Sequence, residues 1–445
     1  MEEEPSTGAA AQQLSSNPLK YGVDPSEGWQ IEENDHPIEE VRLTVNPTDN
    51  PNLPVLTFRT WLLGVSSCVL LSFTNTFFGY RTNQLGVGSV CIQIISLPIG
   101  RFLAASLPEK NIRLPFTKWS FSLNPGPFSI KEHCLISIFA GTGAGSPWGV
   151  AIVTIVHAFY HRGINLMAAF LLVQTTQGNG INVITEYIIG LILPGKPLAN
   201  VAFKTYGTIS MGSALYLLSD LNLGHYMKIP PKAMFISQLA GTIINSTISF
   251  AAAWLLLNSI THICDPNKLP PGSPWTCPGY DVFYNASIIW GLVGPMRMFG
   301  KLGHYSALNL LFLVGIVLPI PFWFLSKAFP RYKWLKYIHI PLLLSGGSGV
   351  PPIHAVNYTM WGAVGIFFNC YIYKRHKNWW ARHTYVMSAA LDAGVAFMGV
   401  LIFFAVQLNK NIGINWWGGV ANDYCPLASC PTAPGVMVEG CPIIK

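Results

Sequence analysis

The sequence predicts an all-α protein, a polytopic transmembrane helical bundle of about eight to ten membrane segments, several of them broken or re-entrant. Three observations predict it. Only 11% of the 445 residues are charged and 51% are hydrophobic, against roughly 25% charged in a soluble domain. Apolar runs of bilayer-crossing length recur along the chain. Glycine- and proline-rich breaks interrupt several of those runs, the device by which carriers expose backbone to a solute at mid-membrane.

Charge divides the chain. Of 20 acidic residues, eleven lie within residues 1–50 beside only Lys20 and Arg42, which leaves nine acids and 25 of the 27 basic residues for the remainder. Residues 1–55 therefore read as a disordered, acidic, cytosolic tail. The basic remainder follows the positive-inside rule for loops between spans, so no nucleic acid partner is needed to explain it. The first apolar run starts after about Leu56, too late for a signal peptide.

The N-terminal membrane part, residues 56–177, holds the candidate spans Trp61–Tyr80, Gln84–Leu107, His133–Tyr160 and the short Ile164–Gln174. The C-terminal membrane part, residues 178–408, begins with Ile181–Leu193 and Tyr206–Leu218, both short for a crossing. It continues with Phe235–Ile260, a marginal Val282–Met296, Ala307–Leu325, Ala355–Tyr373 and Ser388–Val406. The breaks Gly141–Gly149 and Ser345–Pro352 are expected to be broken helices, whose freed backbone must meet protein or trapped water. Gly178–Gly180 is expected to be an ordinary loop.

Basic clusters at Lys327–Lys336 and Lys374–Arg382 should face the cytosol. That places residues 409–445, with Cys425, Cys430 and Cys441, as an exoplasmic tail, and the Cys264–Cys277 loop on the same side. Those five cysteines suit an oxidising face, and Asn285-Ala286-Ser287 in that region is a possible glycan acceptor. Cys68, Cys91, Cys134 and Cys370 lie in apolar runs as inert buried thiols. The expected setting is an integral, multi-pass protein of the plasma membrane, embedded in the lipid bilayer, with a cytosolic N-terminus.

An ionisable side chain within a span is costly and therefore a candidate for function. Glu186, in INVITEYIIG, is the foremost, because a poorly hydrated carboxylate can take up and release protons near neutrality. Tyr187 beside it and Lys204 one segment later complete the candidate substrate and proton-coupling group. An equally direct reading makes Glu186 the structural partner of Lys204. Asp392 opens the last expected span, where a helix-start role or a pairing with Arg382 competes with coupling. His133 could relay protons, although a hydrogen-bonded interface histidine is the simpler reading. The cysteines have no metal-ligand spacing, and no cofactor motif, HExxH, GxSxG, P-loop or GxGxxG stands in a usable context. The expectation is no enzyme, no cofactor and no metal.

Two motifs carry a resemblance. SLNPGPFSIKEH (Ser122–His133) and NLGHYMKIPPKAMF (Asn222–Phe235) resemble the two defining regions of the plant and fungal oligopeptide transporters. NVITEYIIGLILPGKPLANVAFKTYG (Asn182–Gly207), PPGSPWTCPG (Pro270–Gly279), SIIWGLVGP (Ser287–Pro295), LDAGVAFM (Leu391–Met398) and CPTAPGV (Cys430–Val436) resemble it further, in order. The motifs map onto Asn124, Pro125 and Gly126, and onto Lys228, Ile229, Pro230 and Pro231. Ser129 and Lys232 depart from the family's commoner Asn and Arg. The resemblance implies proton-coupled secondary import of small peptides, or of conjugates such as glutathione and metal chelates. It also implies an internal shortening, since family members are well over half as long again. The run Gly163–Gln177 resembles an early span, and GNGINVITEY resembles a segment the family places much later. The junction is expected between Leu172 and Gly180, and it would leave Glu186 without a neighbour. That opens a second reading: a truncated, transport-inactive isoform or gene-model product, regulatory through assembly with full-length relatives.

Overall fold

The computed structural model describes Val45 and residues 49–407, apart from 83, 114–119, 148, 176–181, 266–267, 278–279, 301–302, 304–305, 330, 333–337, 339, 341–342 and 344–354. Met1–Asp49 form a unit apart from Asn50–Lys445. The acidic tail, the C-terminal cysteines and the breaks at Gly178–Gly180 and Ser345–Pro352 lie outside the described residues.

Helix α1 (Phe58–Gly79) starts at Thr57, whose hydroxyl accepts from the Thr60 amide at 3.2 Å. Helix α2 (Ser89–Ser106) carries Pro98 within it. A two-stranded antiparallel hairpin, β1 (Asn111–Arg113) and β2 (Ser120–Ser122), leads to the Asn-Pro-Gly turn. Helix α3 (Ile130–Ala144) opens with a capping box: the Glu132 amide donates to Ser129 Oγ at 3.1 Å and the Ser129 amide to Glu132 Oε2 at 2.8 Å. After a break the helix resumes as α4 (Gly149–Thr154), followed by α5 (Leu166–Thr175) and α6 (Asn182–Ile192). Next come α7 (Pro197–Tyr226) and α8 (Pro231–Ser259), each with proline in its first turn, where the missing N–H costs nothing. Helix α9 (Tyr280–Ser287) widens into a π turn over Ile288–Val293, and α10 (Pro295–Phe299) follows. The chain continues with α11 (Asn309–Val317), α12 (Pro319–Ala328), α13 (Ala355–Ile366) and α14 (Lys377–Ile402).

Among the described residues, six helices are long and apolar enough to cross a membrane: Phe58–Gly79, Ser89–Ser106, Ile130–Phe159, Pro231–Ser259, Ser306–Ala328 and Lys377–Ala405. Two expectations about the segments change. The short run at Tyr206–Leu218 is part of a 30-residue helix, about 45 Å long. Asn200, Lys204 and Asp220 interrupt its apolarity, so packing sustains it. Asp392 does not open the last span, because α14 begins at Lys377. Arg382 is ten residues from Asp392 on that helix, about 15 Å away along the axis, which excludes their pairing.

The Asn-Pro-Gly motif is a joint between three helices. Arg59 in the first turn of α1 is fully buried and pairs with the equally buried Glu132 at 3.2 Å. Its other guanidinium arm donates to Asn124 Oδ1 at 3.0 Å and to the Gly126 carbonyl at 2.8 Å. The Asn124 amide donates to the Ala104 and Leu107 carbonyls, both at 2.8 Å, which satisfies the end of α2. Gly126 holds φ +124°, a conformation only glycine adopts without strain.

Helices α1, α3 and α8 form the tightest part of the bundle. A Cβ on Gly143 would lie 2.8 Å from the Cys68 Cα, so backbones touch there, as small residues permit in membranes. The break after Ala144 confirms the expected broken helix. Neighbouring side chains meet its freed carbonyls: Asn245 Nδ2 donates to Thr142 O (2.8 Å) and Gly145 O (2.9 Å). Ser72 Oγ reaches Gly143 O and Asn75 Nδ2 reaches Ala144 O, both at 3.4 Å.

Lys-Ile-Pro-Pro is the turn between α7 and α8. The Lys228 amide donates to His225 O at 3.1 Å and the Ile229 amide to Gly224 O at 2.8 Å. This is a Schellman cap, with Lys228 at φ +54° where glycine is usual. Ile229 is buried against Cys134, Leu135 and Ile138 of α3, and Pro230 and Pro231 start α8.

At the opposite end of α1, Arg81 stands among three aromatic rings, 5.9 Å from Phe77, 5.3 Å from Trp275 and 5.0 Å from Phe403. This cation–π cage ties α1 to the loop closed by the Cys264–Cys277 disulfide and to the end of the last helix. Among the described residues, the Ser306–Ala328 helices carry no buried residue. In a lipid solvent that is an ordinary lipid-facing surface.

Replacing Arg59 by Met or Glu132 by Gln alone should lower the unfolding midpoint in detergent sharply, since an uncompensated buried charge costs roughly 3–5 kcal/mol. The double replacement should cost less than the sum, which a double-mutant cycle on thermal unfolding measures. Lys228→Gly should hold or raise the midpoint by relieving a strain of about 1–2 kcal/mol, and Lys228→Val should lower it.

Candidate functional site

The site lies where α6, α7 and the π turn after α9 meet. Helices α6 and α7 form a hairpin about Gly195, at φ +78°, whose amide donates to Gly291 O at 2.9 Å. Glycines let the three elements touch. A Cβ on Gly190 would lie 2.5 Å from Trp290 O, and one on Gly291 would lie 2.6 Å from Pro197 Cα.

Glu186 and Lys204 stand nine residues on either side of Gly195, so the hairpin brings them face to face. Lys204 Nζ is 2.6 Å from Glu186 Oε1, with side-chain exposures of 6% and 3%. The contact is a close ion pair between two buried groups. The ammonium also lies 4.1 Å above the Phe283 ring centroid, on α9. Asn200, one turn before Lys204, donates from Nδ2 to the Glu186 carbonyl at 3.1 Å. Its own Oδ1 is buried with no donor among the described residues. The reading of Glu186 as the partner of Lys204 is thus correct in geometry, and the expectation that it lacks a neighbour is overturned.

The other candidates belong elsewhere. Tyr187 turns the other way: its hydroxyl donates to Asn309 Oδ1 at 3.3 Å, and its ring packs near Trp290 and Phe299. His133 Nε2 meets the Gln93 carbonyl at 2.8 Å, the hydrogen-bonded interface role. Asp392 is exposed on α14 and faces the first turn of α2, with Oδ2 3.7 Å from where a Cβ on Gly88 would be. A carboxylate there complements the positive end of the α2 dipole. Asn124, Pro125, Gly126 and Lys228, Ile229, Pro230, Pro231 form the two joints already described.

Four contributors, Asn200, Glu132, Arg59 and Phe283, were not among the sequence candidates. Asn200 and Lys204 share a helix face at four-residue spacing, a signal that was available. Ser129-x-x-Glu132 has the capping-box pattern. Arg59 stands alone at the head of the first apolar run. Phe283, 79 positions beyond Lys204, gives no local signal.

Among the described residues, no group of three or more His, Cys, Asp or Glu could hold a metal ion. A buried carboxylate–ammonium pair can do two things: exchange a proton, or exchange its cation for another.

The model of the OPT oligopeptide transporter protein family matches residues 55–180 and 175–406. Oligopeptide transporter 1 of Arabidopsis thaliana is 35% identical over 741 residues, covering 96% of this chain and 98% of its own length. Oligopeptide transporter 5 of the same plant is 34% identical over 726 residues, with shares of 93% and 96%. Oligopeptide transporter 6 is 48% identical over 297 residues, 66% of this chain and 40% of the relative. No solved structure matches. Since 96% of 445 residues is about 427, about 314 of the 741 aligned positions fall where this chain has no residue. The two stretches matched by the family model overlap at residues 175–180, within the expected junction. Two matched stretches running from residue 55 to 406, with relatives aligned across nearly the full chain, leave one conclusion: the chain belongs to the oligopeptide transporter family.

Proposed function

We propose that this protein is a secondary transporter moving short peptides, or conjugates such as glutathione and metal chelates, across the membrane in step with protons. The observation that carries this reading is the buried Glu186–Lys204 pair, in a hairpin packed on a π turn. The relatives' names speak for peptide transport, and the pair supplies an element that can couple it. Protonation of Glu186 would leave the Lys204 ammonium uncompensated in a poorly hydrated site. That favours a rearrangement of α6 against α7, and deprotonation reverses it. The pair is a two-state element that a proton biases. In this scheme residues 1–55 form the cytosolic tail, residues 56–177 and 178–408 are the two membrane parts, and residues 409–445 lie outside the plasma membrane with the disulfide loop.

The second reading is a non-transporting form that assembles with full-length relatives. It is favoured by the roughly 300 aligned positions of the longer relative that this chain lacks.

Uptake of labelled di- to tetrapeptides in transport-deficient cells, with surface labelling of the protein, separates the two. The carrier reading expects uptake that rises with an inward proton gradient, and Glu186→Gln should flatten its pH dependence. Background uptake with the protein at the surface favours the second reading. Retained pH dependence in Glu186→Gln removes Glu186 from coupling.

A further inference from the structure

The Lys204 ammonium is bound as a ligand would be. It contacts a carboxylate oxygen at 2.6 Å and an aromatic face at 4.1 Å, the two groups that hold organic cations in water-poor sites. A third acceptor, on the residue one helical turn before Lys204, is unused in this conformation. The Asn200 amide is tied through its nitrogen to the Glu186 backbone carbonyl, which anchors its side chain to the residue that carries the carboxylate; its oxygen is not engaged by Lys204 in this conformation. That oxygen is buried, on a residue 2% exposed, without a donor among the described residues. A primary ammonium has three N–H donors, and a buried acceptor left empty is costly. The arrangement is a receptor for one –NH3+ group, supplied here by a side chain on a flexible four-carbon stem.

We propose that Glu186, Phe283 and Asn200 form a primary-ammonium receptor, that Lys204 fills it from within in this conformation, and that the free α-ammonium of a peptide takes the same place when Lys204 swings away. The identity of the guest rests on the peptide-carrier reading; the receptor does not. An α-ammonium has the charge and three donors of the lysine head, so exchange keeps the buried carboxylate compensated. An N-acetylated peptide has no cation to offer. A quaternary ammonium meets the ring and carboxylate but has no N–H to donate to either Glu186 or Asn200. Lys204 is then a tethered competitor that sets how readily substrate enters.

The test uses the purified full chain in detergent and reads thermal unfolding. Lys204→Ala empties the receptor and leaves a space matching n-propylammonium. That variant's midpoint should rise by several degrees with n-propylammonium or glycinamide at tens of millimolar. It should rise less with tetramethylammonium and not at all with N-acetylglycinamide. The wild-type protein, with Lys204 in place, should not respond, nor should the Glu186→Gln/Lys204→Ala double variant. Should Lys204→Ala not fold alone, purification in n-propylammonium should recover a monodisperse protein that N-acetylglycinamide does not. Absence of any ammonium-specific shift or recovery overturns the receptor, as does an equal response in the double variant. Rescue without cellular uptake keeps the receptor and sinks the carrier reading. Rescue with uptake in which free and N-acetylated dipeptides compete equally removes the α-ammonium as its guest.

Discussion

A backbone amide or carbonyl at membrane depth has no water to turn to, and each joint in this protein answers that constraint. The break after Ala144 shows the solution most fully. Four carbonyls lose their helical partners, and Asn245, Ser72 and Asn75 from two neighbouring helices supply donors. Unsatisfied groups in hydrocarbon would cost several kcal/mol each, so the break exists only because α1 and α8 pack against it. That dependence explains the small residues Cys68, Gly143 and Gly241 at the contact, since the polar reach of serine and asparagine is short. The end of α2 is handled likewise, with Asn124 donating to the last carbonyls while Arg59 holds Asn124.

The same constraint separates what is legible in the sequence from what is not. The membrane class follows from composition, and the break at Gly141–Gly149 from its glycines, because both are properties of the local chain. Helix α7 is not legible over its full length, because Asn200, Lys204 and Asp220 lower its apolarity, while Lys204 and the Asn200 amide nitrogen meet Glu186 on another element. The Lys228 cap is hidden for a different reason. A left-handed C′ position is usually announced by glycine, and here a lysine occupies it. Glu186 and Lys204 could be paired on paper through their symmetry about Gly195. Asn200 could be added by helical spacing. Phe283 needed the packing of α9 on α7, which no local pattern encodes.

The two motifs that carry the family likeness prove to be joints, whereas the ion pair lies in a stretch that only supports the likeness. This is physically reasonable. Asn-Pro-Gly and Lys-Ile-Pro-Pro set unusual backbone angles, at Gly126 and Lys228, and such positions admit few residues. A receptor for a cation can be built from any carboxylate, ring and amide that converge, so its signature in the sequence is diffuse.

The overlap of the two family-matched stretches, residues 175–180, lies between two separately anchored helices. Before it, α5 docks on α8 through Gln174, which bonds Ser246 Oγ and Thr247 Oγ1, both at 2.7 Å. After it, α6 docks on α7 through Glu186 and Lys204. Helices α7 and α8 pack on each other across the Lys-Ile-Pro-Pro turn. The flanking helices are therefore each fastened to one helical pair by polar contacts of their own. The two buried ion pairs respect that division: Arg59 with Glu132 before residues 175–180 and Glu186 with Lys204 after them, in a chain lacking some 300 aligned positions of a longer relative.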